Sequence, residues 1–436
     1  MPAKGPHHFP LAHAVGEGGA RPPGRESEGV AHGTTLTPAL SRKRERGYGW
    51  VAVILLALLP LLLSGAAGPS GRVLSHDAYV WQRQWTPALR DALAEAAPLV
   101  RQWRVLAAET EGGELQPVAL DAKALAEHPA TLVVRIDGRL ANLDGDALID
   151  GIAGLLARWR GIGLAPAALE IDHDCGSGAL DSYAGFLARL RGRLPGLPLA
   201  ITALPAWPAT AARDRLFAEA DEIVLQVHAV ADPRRGLFDP VQARRWIDAF
   251  ARNGHPFRVA LPTYGSRVAW RADGRLLAVV SERPLLAGGA ETRELIAPPA
   301  AVAALLEDLA CNPPPGLRGI AWFRLPTAED RRSWSLATWR AVIAGALPAG
   351  AVTISTESDP AGFTRLALVN GGTVDAELPA RIALPPGCAD ADGVNGYALD
   401  RDGRAPVLAR QQAGLLPAGR RQPIGWMRCG DADGSS

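Results

Sequence analysis

The chain has 436 residues, more than one domain ordinarily holds, and carries 46 Lys and Arg against 45 Asp and Glu. A balance that close excludes nucleic-acid binding by bulk charge, and nothing in the composition calls for a cofactor. Twelve Trp is a high count; aromatic faces of this kind either pack in cores or stack on sugar rings.

Residues 1–47 are rich in Gly, Pro and His without periodicity and read as a disordered segment, or as the product of a start codon set too far upstream. His7, His8 and His13 lack the spaced partners a metal site needs, and Arg42, Lys43, Arg44 and Arg46 make the segment's end basic. Residues 48–68 continue as an apolar run without charge, closing on Ser64-Gly65-Ala66-Ala67-Gly68. Positive flank, apolar stretch and small residues describe a secretory signal, and the same run fits an uncleaved anchor in the inner membrane. Either way, the chain beyond residue 70 is expected outside the cytoplasm, in the periplasm or attached to the membrane bordering it.

From residue 72 to 347 short apolar runs alternate with amphipathic stretches. Strands are predicted at His76–Gln82, Trp103–Glu109, Thr131–Asp137, Ala167–Asp174, Pro198–Leu204, Glu222–His228, Phe257–Pro262 and Arg318–Arg324. Helices are predicted at Thr86–Gln102, Leu120–Glu127, Asp144–Arg160, Leu180–Leu194, Ala209–Ala220, Pro240–Asn253, Pro299–Asn312 and Ser333–Ala346. Asp239-Pro240 is a helix start signal, and Arg160-Gly161 and Asn253-Gly254 are stops. Eight β-then-α units predict a (β/α)8 TIM-like barrel, with a doubly wound sheet as the alternative. The long connection from Tyr264 to Ala297 contains a hairpin around Ala272-Asp273-Gly274 and is a candidate lid. Residues 350–430 change to short alternating runs broken by Asn370-Gly371-Gly372 and Asp400-Arg401-Asp402-Gly403, the pattern of a small β-sandwich.

Four cysteines in an exported chain permit disulfides, and Cys388 with Cys429, both in the C-terminal segment, make the expected pair. Cys175 comes after a strand and Cys311 precedes one, so a barrel sets them at opposite ends and forbids a bridge between them. No C-x-x-C spacing supports zinc or redox chemistry.

The most informative run is Leu169-Glu170-Ile171-Asp172-His173-Asp174-Cys175-Gly176. Its alternation puts Glu170, Asp172 and Asp174 on one face of the fourth strand as a column of carboxylates. Like charges raise one another's pKa, which suits proton transfer; the same column also fits a buried ion-pair network with nearby arginines. In a barrel the strand ends converge, so the other polar ends join the site: Arg135 and Asp137 from the third strand, Gln226 and His228 from the sixth, and Glu109 from the second. Trp81 with Arg83, Trp207, Tyr264, Trp322 and Arg324 complete the expected lining. A metal bound by Asp172, Asp174 and His228 is an alternative, though no sharp ligand spacing supports it.

The fourth-strand run, with Leu180-Asp181-Ser182-Tyr183, Ile201-Thr202-Ala203-Leu204-Pro205-Ala206-Trp207, His76-Asp77-Ala78-Tyr79-Val80-Trp81-Gln82 and Val134-Arg135-Ile136-Asp137-Gly138, resembles a bacterial family known as domain of unknown function 3142. The likeness spans most of residues 75–430 and implies an exported bacterial protein. More distantly, Glu170-x-Asp172-x-Asp174 is similar to the D-x-D-x-E of glycoside hydrolase family 18 barrels, where the last acid is the general acid. Gln226 and Trp322 stand in comparable places, while the leading acid is Glu and the terminal one Asp, one methylene shorter. The resemblance implies a carbohydrate-active barrel with Asp174 as acid, Asp172 orienting substrate or stabilising positive charge, and a glycan as partner. A glycan-binding protein without catalysis and a metal-dependent hydrolase are the alternatives.

Overall fold

The computed structural model describes residues 73–140, 143, 145–207, 209–228, 233–280, 289–388, 390–401 and 405–429. The basic segment and the apolar run 48–68 lie outside the described residues, among which no helix is long and apolar enough to cross a membrane.

Eight parallel strands close on themselves: β1 (Ser75–Val80), β2 (Gln102–Glu111), β3 (Ala130–Ile136), β4 (Ala168–His173), β5 (Leu199–Ala203), β6 (Glu222–Gln226), β7 (Phe257–Pro262) and β8 (Leu317–Phe323). Each pairs with its successor, and β8 pairs with β1. The open-sheet alternative is thereby excluded. Strand alternation explains the closure. Ala78, Val80, Leu132, Val134, Leu169, Ile171, Ile223, Leu225, Val259 and Leu261 face outward into the layer beneath the helices. Tyr79, Trp81, Leu106, Val133, Val224, Ala260 and Ala321 fill the barrel interior.

The helices bury one stripe each against the strands' outer faces. In Asp146–Gly161 the stripe is Ile149, Ile152, Leu155, Leu156 and Trp159; in Leu180–Arg193 it includes Leu180, Tyr183, Phe186, Leu187 and Leu190. Pro240–Ala251 starts as the sequence signals: Asp239 accepts hydrogen bonds from the N–H groups of Val241 and Gln242, and Pro240 takes the first position. Its chain reverses at Gly254, whose φ of 76° favours glycine.

Two differences from the sequence expectation are instructive. The first helix stops at Ala96, gives a short 3-10 turn through Pro98, and releases Gln102 to β2. A proline in that turn removes a backbone donor, and Gln102 is needed opposite Asp77 in the β1–β2 register. Strand β2 also runs beyond Glu109, turns at Gly112-Gly113 and returns antiparallel as Glu114–Pro117.

The excursion after β7 is a three-stranded antiparallel sheet. Gly265–Trp270 pairs with Leu276–Val280 as predicted, and with Glu291–Ile296 on its other edge. Arg234, from the segment after β6, binds Glu291 at 3.2 Å and lies 4.8 Å from the Trp270 ring.

The C-terminal domain packs a four-stranded sheet (Val352–Ser358, Thr364–Asn370, Arg421–Arg428, Asp390–Gly393) with a three-stranded one (Arg381–Ala383, Val407–Arg410, Tyr397–Asp400) around Leu366, Leu368, Ile382, Leu408 and Ile424. Asp375 joins it to the barrel's last helix, accepting from the Ser335 N–H at 2.6 Å and donating its own N–H to Thr338 Oγ1 at 2.7 Å. Cys388 and Cys429 form the expected disulfide, while Cys175, buried, and Cys311, exposed, remain thiols. The bridge spans 41 residues. Changing both its cysteines to Ser should therefore cost the small domain about 4 kcal/mol, read as a lower denaturation midpoint for its transition.

Candidate active site

The inward side chains form two tiers. The lower is a buried ionic layer. Arg104, 1% exposed, binds Asp77 at 2.9 Å and also pairs with Glu170 and Glu222; Arg258 binds Glu222 at 2.9 Å and Asp77 at 3.3 Å. Tyr79 donates its hydroxyl to Glu170. Glu170 is thus a member of an ion-pair network. Burial pushes its carboxyl up, and Arg104 opposes that shift.

The upper tier holds the remaining carboxylates. Asp172 is buried and accepts from Thr202 Oγ1 at 2.8 Å and Gln226 Nε2 at 3.3 Å. The same amide donates to Asp174 Oδ1 at 3.0 Å, so one side chain bridges the two acids. Burial and then repulsion from Asp172 push the half-buried Asp174 up to about 7, against the opposing influence of Arg135 and the Gln226 hydrogen bond. At neutral pH Asp174 is therefore poised between donating and holding a proton. Arg135 stands opposite Asp172 in the β3–β4 register, its guanidinium 5.8 Å from the Trp81 ring.

Aromatic rings close one side. Trp81 meets Phe323 edge-on at 5.0 Å, and His228 stacks on Phe323 at 5.4 Å. Tyr264 places its hydroxyl 3.3 Å from His228 Nδ1. Burial lowers His228 to about 4, so the imidazole is neutral at physiological pH, and its Nε2 has no protein partner among the described residues. With the tyrosine donating to Nδ1, Nε2 carries the hydrogen and offers one donor.

Asp172, Asp174, Arg135, Gln226, His228, Tyr264 and Trp81 are accordingly linked through direct contacts and shared partners. Glu109 lies in the same register row, opposite Arg135, and forms a bidentate pair with Arg83 at 2.7 and 2.8 Å. Asp137 is held by Arg139 at 2.7 Å, whose hydrogen bond first and charge second keep its carboxyl below the usual range.

Three expected residues stand elsewhere. Trp322 points outward, donating to His76 Nδ1 at 3.1 Å and packing against Trp334 and Trp339. The alternation of β8 gives the inward place to Phe323. Arg324 lies beyond the end of β8, buried and bound to Asp330 at 2.5 Å. Trp207 is 5% exposed and donates to the Cys175 carbonyl at 2.9 Å, buttressing the turn beyond Asp174 instead of offering a stacking face. Nor do Asp172, Asp174 and His228 gather as ligands: among the described residues no group of three His, Cys, Asp or Glu forms a metal-binding set.

Sequence reasoning passed over Thr202, Phe323 and Gly138. Thr202 was legible as the inward polar residue of a predicted strand. Phe323 needed the strand's phase rather than the pull of a neighbouring Trp. Gly138 abuts the Asp174 carbonyl so closely that any Cβ there would overlap it, a contact that only folding creates.

The fold and site define a closed TIM-type barrel with coupled carboxylates at the C-terminal end of its fourth strand. Residues 126–328 match the model of a family described as Domain of unknown function (DUF3142), and residues 353–430 match a second, Domain of unknown function (DUF8456). The first match thus covers the barrel from its third strand onward, and the second covers the β-domain. No curated protein sequence matches.

Among solved structures, a chitinase from Chromobacterium violaceum is 16% identical, with a TM-score of 0.45, covering 63% of this chain and 99% of that one. The Bacillus cereus spore cortex-lytic enzyme SleL is 14% identical, with a TM-score of 0.46, covering 64% and 75%. A class V chitinase from Nicotiana tobaccum is 12% identical, with a TM-score of 0.44, covering 63% and 99%. The closure of this barrel rests on its own strand pairing.

Proposed function

We propose that this chain is an exported, carbohydrate-active barrel that hydrolyses glycosidic bonds in an envelope or extracellular glycan, with Asp174 as general acid. The observation that carries the reading is the Asp172–Gln226–Asp174 cluster, in which a crowded carboxyl holds a proton to about pH 7 at the barrel mouth. Asp174 gives that proton to the leaving glycosidic oxygen. Asp172, fixed by Thr202, faces the positive charge that develops at the anomeric carbon. Phe323, backed by the buried Trp81, supplies apolar surface for a sugar ring, while Arg135, His228 Nε2 and Tyr264 supply polar contacts. A disulfide in the β-domain supports an oxidising compartment, and the basic-then-apolar residues 42–68 support the periplasm, with that segment either cleaved or kept as an inner-membrane anchor.

A binding-only reading draws on one observation: the short Asp174 side chain is tied to Gln226. The pH dependence separates the two. Turnover should decline as pH rises through about 7, because ionised Asp174 has no proton to give. Replacing Asp172 by Asn removes the repulsion that helps to raise Asp174, so the alkaline limb should move to lower pH. Screening the wild-type protein against bacterial envelope and exopolysaccharide glycans, then measuring a pH profile of both proteins, tests this. Binding without turnover of any glycan would favour the second reading.

A further inference from the structure

The β-domain carries a groove of about 560 Å³ on the outer face of its four-stranded sheet. Strand register aligns Glu357, Arg365, Trp426 and Asp392 in one row across four strands, while Leu366, Ile424 and Met427 turn inward to the core. Trp426 is only half-buried. Phe363 meets it edge-on at 5.2 Å and is itself covered by the Arg428 guanidinium at 3.9 Å, so the two rings are fixed at right angles. Charged groups line the rim in matched pairs: Arg365 binds Asp359 at 2.5 Å and Arg421 reaches Glu357 at 3.5 Å.

We propose that this groove is a second glycan-binding site, taking a neutral chain of pyranose units; the assignment rests on the reading of the chain as carbohydrate-active. Two carboxylates against two guanidinium groups leave the lining without net charge, which disfavours a nucleic acid or a strongly acidic polymer. What it offers is an aromatic face bordered by pre-positioned donors and acceptors. A pyranose ring presents the same alternation, with C–H groups on its faces and hydroxyls around its edge. The volume lies within the range of small-ligand sites, about 300–1,000 Å³. Because Arg365 and Arg421 are already held by carboxylates, little side-chain freedom is lost when a ligand arrives.

The test is calorimetric titration of chitohexaose and of cellohexaose into the full chain carrying Asp174→Asn, so that neither sugar is consumed. At least one hexaose should bind. Adding Trp426→Ala should weaken the groove's binding at least tenfold, Arg365→Ala should weaken it about threefold, and Trp426→Phe should restore most of it. Should the alanine variant fail to fold, Arg365→Ala and Glu357→Gln carry the same comparison. If neither hexaose binds, or binding is unchanged in all of these variants, the proposal is overturned; a groove reserved for a protein partner gives the first result where the barrel takes neither sugar and the second where it takes one. The hydrolase reading is judged separately, by turnover in the wild-type chain, so binding that depends on Trp426 without turnover of any glycan would sink that reading and leave this one standing.

Discussion

Replacing Asp174 by Asn is expected to lower glycan turnover by roughly 10²–10⁴-fold while leaving sugar binding and the fold intact. An amide matches the carboxyl in shape and still meets Gln226, but it cannot supply a proton to a leaving oxygen. The same variant carries a stability signature. In the folded protein Asp174 keeps its proton to about pH 7, whereas in the unfolded chain it loses it near the ordinary carboxylate value. Between those values the folded state binds more protons, so the wild type loses stability as pH rises. Asn carries no such cost. The variant should therefore be more stable at pH 8, by up to about 4 kcal/mol, with the difference vanishing as pH falls to about 4. Thermal unfolding at the two pH values measures this. Full activity in the variant on a confirmed substrate would place the acid elsewhere, with Glu109 and Asp137 next to be examined; both are already engaged by arginines.

The second large effect is expected one tier below. Arg104→Met should destabilise the barrel by about 3–5 kcal/mol at pH 7, because it strands Glu170 inside the barrel without its cation and takes one of the arginines that hold Asp77. The loss should shrink as pH falls, since a protonated Glu170 needs no counter-charge and its pKa is already raised. Adding Glu170→Gln should recover part of the loss at pH 7, giving a coupling of more than about 1 kcal/mol in a double-mutant cycle read by denaturant unfolding. Additive single effects would show that the two groups do not depend on each other.

These two results separate the members of a column that look equivalent in sequence. Glu170, Asp172 and Asp174 recur at alternate positions, and that spacing alone places them on one side of β4. Their roles diverge because the barrel interior changes with depth. Arg104 and Tyr79 reach Glu170, Thr202 and Gln226 reach Asp172, and the Arg135 charge and the Gln226 hydrogen bond temper Asp174.

The eight β-then-α units, the hairpin after β7, the β-rich C-terminal module and the Cys388–Cys429 pair are written in local pattern: apolar periodicity, capping residues such as Asp239-Pro240, and composition. Each element needs only neighbours along the chain to be recognised, and the cysteine pair only its place within one C-terminal segment. Which side of a strand end meets the cleft was decided by tertiary structure. A shift of one residue reverses a strand's faces, so Trp322, for all its chemical promise, lies under the helices while Phe323 enters the site. The bulge in β2 that brings Glu109 level with Arg135, the close approach of Gly138 to Asp174, and the raised proton affinity of that acid depend on chains distant in sequence meeting in a confined, poorly solvated space. Local pattern fixes which residues form strands and helices; closure of the barrel fixes their phase, their depth and hence their charge.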